Sequence, residues 1–266
     1  MNTRRLATAG LALLASAGFA AGCATTTNGT AQPSTGASDT APASGSSAAK
    51  SALVASIGQL TQVPYRYHAV SGGLSGQGAA DPADKSATVS MTGTDRGNSA
   101  TIDMVAVNTD FWLKLNFGNA NKSMGISSDK WLHIDAARLG AGANLPVDPS
   151  GGAATASGLF SGLTNVQQVD GQHFTGSIDL TKATGVSGVS QDLLNKAGVK
   201  ATSVPFTASL DSQGRLSDLK VDLSAIDPAQ ALEVSYSDYG TPVTVTKPDA
   251  SQVAEAPDSV YRLFGH

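Results

Sequence analysis

Few side chains in this 266-residue chain are of types that do chemistry, and those few stand apart from one another. The single cysteine, Cys23, lies in AAGCATTTNGT, between an apolar run and a stretch of small polar residues. A thiol there can be a nucleophile, a metal ligand or a point of covalent attachment. The four histidines, His68, His133, His173 and His266, are scattered singly, and none has a second ligand at metal-binding spacing. In YSDYG, Asp238 and Tyr239 could be read as acid and base, but with Gly240 and Pro242 beside them they read as a bend between strands. Trp112 and Trp131 read as core or rim residues rather than as a sugar platform. No G-x-S-x-G elbow, H-E-x-x-H helix, phosphate loop or dinucleotide fingerprint occurs, despite abundant Ser and Gly. The expectation is a protein without catalytic residues, metal or cofactor.

The residues ahead of Cys23 say where the protein works. Arg4 and Arg5 precede an apolar run over residues 6–21 that ends in small residues, the anatomy of a signal peptide. The run is short for a membrane-spanning helix, which needs about 20 apolar residues, and nothing like a second span follows. The stretch Ala20-Ala21-Gly22-Cys23 resembles the lipobox of bacterial lipoproteins, with Ala at position 20 where the pattern favours Leu. That resemblance implies that residues 1–22 are removed and that Cys23 carries acyl chains such as palmitate. The protein would then be lipid-anchored on the extracytoplasmic face of the cell membrane. Each buried methylene contributes about 0.8 kcal/mol, so two or three chains hold such a protein firmly.

Residues 23–49, the lipidated Cys with TTTNGTAQPSTGASDTAPASGSSAA and its flanks, lack large apolar side chains and read as a disordered tether. As a flexible coil, about 26 residues reach roughly 25–30 Å. From residue 50 to 266 the patterning is regular and unbroken, which predicts one domain. It contains no cysteine and must fold without disulfides. The net charge of −4 leaves no basic footprint, so nucleic acid is not an expected partner.

The elements that must position anything in this domain are mostly strands. SALVASIGQL carries Leu53, Ile57 and Leu60 at helical spacing before Pro64. Strand alternation then begins at Tyr65, Tyr67 and Ala69. It continues with Val89 and Met91, with Ile102, Met104 and Ala106, and with Phe111, Leu113, Leu115 and Phe117 in FWLKLNF. A one-residue slip in the last would expose four large apolar groups. Residues 65–117 therefore predict an antiparallel meander. KWLHID is a further short strand, and residues 136–158 read as loop with room for a weak helix. Phe174, Ile178 and Leu180 open a second strand set. A short helix around Leu193 and Leu194 closes at Gly198. Then come strands with Phe206, Ala208 and Leu210, a turn at 211–214, and Leu219, Val221 and Leu223. Residues 232–236 and 243–247 read as the closing strands. The sum is an α+β domain whose largely antiparallel sheet is apolar on one face, and that face can close on itself, pack on helices or curl around a guest.

The tail YSDYGTPVTVTKPDASQV resembles the C-terminal strand pair of the actinobacterial LppX/LprAFG lipoproteins, and the order of lipobox, tether, opening helix and strand sets is similar throughout. The resemblance implies a half-open, strongly curved antiparallel sheet, an unclosed barrel with helices covering its concave face, similar in plan to the LolA and LolB carriers. It implies binding of acyl lipids or glycolipids in a hydrophobic cavity and their transport across the envelope, with an export transporter as a partner. By strand phase, Val89, Met91, Ile102, Met104, Phe111, Leu113, Leu115, Phe117, Phe174, Ile178, Phe206 and Val221 would line that cavity. The contrasting expectation from the same alternation is a non-catalytic sensor or scaffold with a closed core.

Overall fold

The computed structural model describes residues 44–263, except positions 72, 96–97, 140–152, 184–188, 190, 229 and 231. The signal segment, Cys23, the tether up to residue 43, most of the 136–158 stretch and His266 thus lie outside the described residues. All described residues belong to one compact unit.

Twelve strands form one sheet. They are β1 (Tyr65–Ser71), β2 (Leu74–Asp81), β3 (Ser86–Asp95), β4 (Asn98–Val107), β5 (Asp110–Asn116), β6 (Trp131–Ile134), β7 (Leu163–Gln168), β8 (His173–Ile178), β9 (Val204–Leu210), β10 (Leu216–Val221), β11 (Leu232–Ser237) and β12 (Val253–Glu255). The helices are α1 (Ser44–Leu60), α2 (Ala120–Met124), α3 (Ala153–Ser161), α4 (Gln191–Ala197) and α5 (Asp258–Leu263). The strand order is β12-β6-β5-β4-β3-β2-β1-β11-β10-β9-β8-β7. Two meanders, β1 to β6 and β7 to β11, are therefore joined where β11 pairs with β1. Every neighbouring pair is antiparallel except β12 on β6, and the outer strands β7 and β12 do not pair, so the sheet is unclosed. The described structure is thus α+β, with a large, mostly antiparallel sheet and few helices.

One face of this sheet carries a contiguous apolar core, and α1, α3, α4 and α5 all contribute to it. On α1, Ala49, Leu53 and Leu60 are fully buried, a helical stripe facing inward. Ser56 shares the stripe and satisfies its hydroxyl on the Leu53 carbonyl at 2.7 Å. Lys50 Nζ donates to the Leu163 carbonyl at 2.8 Å and ties the helix to β7. The helix begins at Ser44, so the tether expected to reach residue 49 ends earlier. Packing of Ala49 into the core recruits a Ser- and Gly-rich turn that has little helical preference of its own.

Further departures from the sequence reading concern strands, and β7 and β12 are two that the alternation did not single out. β2 escapes the alternation rule because Gly76 and Gly78 occupy its inner face. A Cβ on Gly78 would come within 2.4 Å of both the Thr88 carbonyl oxygen and Tyr67 Cζ, so the glycine makes room for the tyrosine ring. Conversely, residues 243–247 form no strand. The segment leaves β11 through a bend with Asp238 at φ 54° and Gly240 at φ 80°. The Gly240 N–H is held by the Pro64 carbonyl at 2.8 Å. The chain then reaches β5, where Lys247 Nζ meets Asp110 at 2.9 Å. From the Gly240 anchor beside β1, β5 lies four strand spacings away, about 19 Å at about 4.8 Å each, which seven extended residues span. The half-buried Val243 and Val245 alternate because the segment lies across the outer face as a strap, not because it pairs in the sheet.

Candidate functional site

All twelve residues expected on the inner face belong to the apolar core or pack against it. Ten of them are 6 % exposed or less, and Phe111 and Phe117 are half-buried. Register brings them together across strands: Val89 opposes Met104, Met91 opposes Ile102, and Met104 and Ile102 oppose Leu113 and Leu115. On the second meander, Phe206 opposes Val221 and Gly176, beside Phe174 and Ile178. This set therefore forms the floor of one apolar interior roofed by helices.

A recess of 360 Å³ opens at the edge of that interior. Leu60 from the end of α1, Ala80 from β2 and Ala153 from the start of α3 line it, and all three are buried core residues. Its rim is built by two turns. In the β2–β3 turn, Asp81 Oδ1 accepts the Ala83 and Asp84 N–H groups at 3.0 and 3.3 Å. In the β4–β5 turn, the Asn108 N–H donates to the Lys85 carbonyl at 2.8 Å. Lys85 and Asn108 both hold left-handed backbone, at φ 48° and 60°. Ser86 also lines the recess and is only 8 % exposed. Chemically this is an apolar throat with a polar collar, of a size at the lower end of the roughly 300–1,000 Å³ typical of small-ligand sites.

The outer face is polar. One register line runs through Ser209, Asp218, Ser235, His68, Gln77, Ser90 and Asp103 on successive strands. His68 is exposed there, and His173 is exposed beside Asp170 at 2.8 Å. His133 has closer company than its isolation in sequence suggests: its ring nitrogens lie 3.8 Å from Asp110 and 3.4 Å from Glu255. With Trp112 and Lys247 these residues line a recess of 410 Å³. The Lys247 ammonium sits 5.3 Å from the Trp112 ring centroid. Its hydrogen bond to Asp110 is the chief reason that carboxyl is held below the usual 3.8. Trp112 is buried on this outer face and Trp131 is half-buried, so neither presents an open platform. Among the described residues no three His, Cys, Asp or Glu side chains converge as a metal site.

Asp238 and Tyr239 stand in the bend, as expected. The Tyr239 hydroxyl donates to the Leu216 carbonyl, and burial pushes its pKa far up. The Arg215 guanidinium lies 4.5 Å from the ring centroid. A phenol so committed is a structural clasp.

The collar residues Lys85, Ser86 and Asn108 and the throat residue Ala153 were not legible as a group. Their one local signal was the turn chemistry of Asp81 and Pro82. No protein-family model matches this chain, and no curated protein matches it. Fold and site together define an α+β protein with an unclosed sheet, an apolar interior and a recess leading to it.

Proposed function

We propose that this chain is a membrane-anchored lipoprotein, held through Cys23, that binds acyl lipids or glycolipids between its sheet and helices. It moves them across the cell envelope, exchanging them with partners such as an export transporter, and performs no chemistry on them. The observation that carries the reading is the 360 Å³ recess whose walls, Leu60, Ala80 and Ala153, are continuous with the apolar core. An unclosed sheet roofed by helices supports it too, because α1 and α3 bury the small Ala49, Ala153 and Ala156 in the core beside their larger Leu and Phe anchors. In this reading the sheet curls around its cargo as a LolA-like half-barrel. The gain on chain burial, about 0.8 kcal/mol per methylene, needs no specific polar contact.

A second reading, a closed-core sensor or scaffold, is favoured by a different observation. The inner-face residues are buried by the protein's own side chains, and the linings of four recesses formed by described residues include none of the twelve. Native mass spectrometry with lipid extraction separates the two, using the full chain carrying Cys23→Ser from an actinobacterial host. The carrier reading expects a stoichiometric acyl lipid to co-purify, or to be taken up on addition. A clean apo mass with no uptake overturns it in favour of the closed core.

A further inference from the structure

Among the described residues Val199 is the most exposed large apolar side chain, at 89 %. The turn that displays it is fixed. Gly198, at φ 53°, ends α4 in left-handed backbone and leads into the 3₁₀ turn Gly198–Thr202. Ala197 and Ala201 on either side are buried in the core, and the Thr202 hydroxyl donates to the Val199 carbonyl at 2.9 Å. Lys196 Nζ meets Asp227 at 2.6 Å, and Lys200 Nζ donates to the Ala225 carbonyl at 2.8 Å. The 3₁₀ turn Leu180–Lys182 packs beside this one and brings Lys182, which pairs with Asp179 at 3.1 Å. In both ion pairs the ammonium is the outward member: Lys182 and Lys196 are 60 % and 55 % exposed, against 13 % for Asp179 and 22 % for Asp227. Asp192, on the first turn of α4, is the exposed carboxylate of these elements. An apolar tip is thus flanked by three outward lysines.

The chain leaves for Cys23 on the same side of the domain. α1 packs on α3 in the opposite direction: Leu60 ends beside Ala153 in the recess, while Lys50 reaches the Leu163 carbonyl just past the end of α3. There the Gly162 carbonyl accepts the Asp179 N–H at 2.8 Å, and Ser161 Oγ donates to the Lys182 carbonyl at 3.2 Å. Ser44, where α1 begins, therefore lies toward the lysines. About 20 residues separate it from Cys23, and read as a coil they reach roughly 22–27 Å. The other strongly exposed valine, Val169, is at the far end of β7 and β8, six-residue strands about 20 Å long.

We propose that the face formed by Val199, Lys182, Lys196 and Lys200 rests on the bilayer that holds the anchor, with Val199 entering the head-group boundary and the lysines facing the phosphates of anionic lipids. The proposal rests on the anchored-lipoprotein reading, because the anchor keeps this side of the domain at the membrane. Each lysine near an anionic surface is worth about fivefold in partitioning, so the face alone binds weakly. The tether makes so weak a contact sufficient by holding it at high local concentration. The 360 Å³ recess lies at the other end of α1, about 25 Å along the helix, and stays clear of the bilayer.

The test uses the full acylated chain in vesicles of equal parts phosphatidylglycerol and phosphatidylcholine, with an NBD fluorophore on Val199→Cys or, separately, on Val169→Cys. Both valines are exposed, so neither substitution disturbs packing, and an acylated Cys23 has no free thiol to take the label. Lipids carrying a nitroxide at the head group are expected to quench the probe at 199 and to leave the probe at 169 bright. Adding Lys196→Gln/Lys200→Gln should shift the docked population about 25-fold toward undocked, and high salt should act in the same direction. Equal quenching at the two positions, or quenching at neither, overturns the docking face and leaves the anchored reading standing. Quenching at 199 that the double lysine variant leaves unchanged overturns the assignment to anionic head groups. A wild-type chain whose mass lacks acyl groups and whose Cys23 takes the label overturns the anchored reading and this face with it.

Discussion

Replacing Ala153 by Leu places three extra carbons where the recess lies. Ala153 is 4 % exposed, opens α3 and faces the 360 Å³ space together with Leu60 and Ala80. If that space is free in the apo protein, the larger side chain fills it. Burying three methylene equivalents yields at most about 2.4 kcal/mol. Fixing the leucine rotamer costs about 0.5–1 kcal/mol. The net is about 1.5 kcal/mol of added stability, a rise of roughly 3–6 °C in Tm for a domain of this size. The same carbons displace an acyl chain from the throat, and three lost methylene contacts weaken hexadecanoate binding about fiftyfold. Scanning calorimetry reads the first effect and isothermal titration the second. A fall in Tm of several degrees would show that the neighbours resist the side chain and that the space is not there to be filled. A higher Tm with unchanged hexadecanoate affinity would show that the recess is not the route for the chain.

Glycines give a pair of opposite signs. Gly78→Ala drives a Cβ to 2.4 Å from the Thr88 carbonyl oxygen and Tyr67 Cζ and should cost about 1–3 kcal/mol in urea unfolding. Gly58→Ala, in α1 with nothing within 4 Å, should add about 0.5–1 kcal/mol. Lys247→Met removes the hydrogen bond that chiefly holds the Asp110 carboxyl below 3.8 and should bring its titration, followed by NMR, back up toward that value. Because the folded carboxyl titrates below its unfolded value, the stability it adds is complete above 3.8 and is lost as pH falls through the lowered folded value. Both groups are about half exposed, so the variant should lose only about 0.2–1 kcal/mol at neutral pH, and that loss should vanish in acid.

What the sequence disclosed follows from which interactions are local. The alternation of Leu113 and Leu115 with Trp112 and Lys114 is a property of one strand, and the inner-face set read from it is the set the structure brings together. β2 was hidden because its inner face is glycine, and the reason for the glycine is a tyrosine on the neighbouring strand. The strap over residues 243–247 misled in the opposite sense. Val243 and Val245 alternate as a strand's residues do, because lying on a sheet face and pairing within a sheet bury the same side of an extended chain. The collar was beyond reach for a topological reason. Lys85 and Asn108 come from two separate turns, and Ala153 comes from a helix placed by the packing of α3 on α1.

The C-terminal segment then explains why access lies where it does. An unclosed sheet leaves its apolar face vulnerable along both edges, and each edge is covered differently. At β7, α1 is fastened by Lys50 to the Leu163 carbonyl. At β6, the chain first crosses the outer face as the strap, adds β12, and then turns inward, so that Ala256, Val260 and Tyr261 bury against the core. The Tyr261 hydroxyl accepts the Asp135 N–H, and Arg138 pairs with Asp258, which pins α5 in place. Both edges are thereby clasped by groups with specific partners. Between them, where β2 ends and β3 begins, the recess opens beside the exposed Lys85 and Asn108.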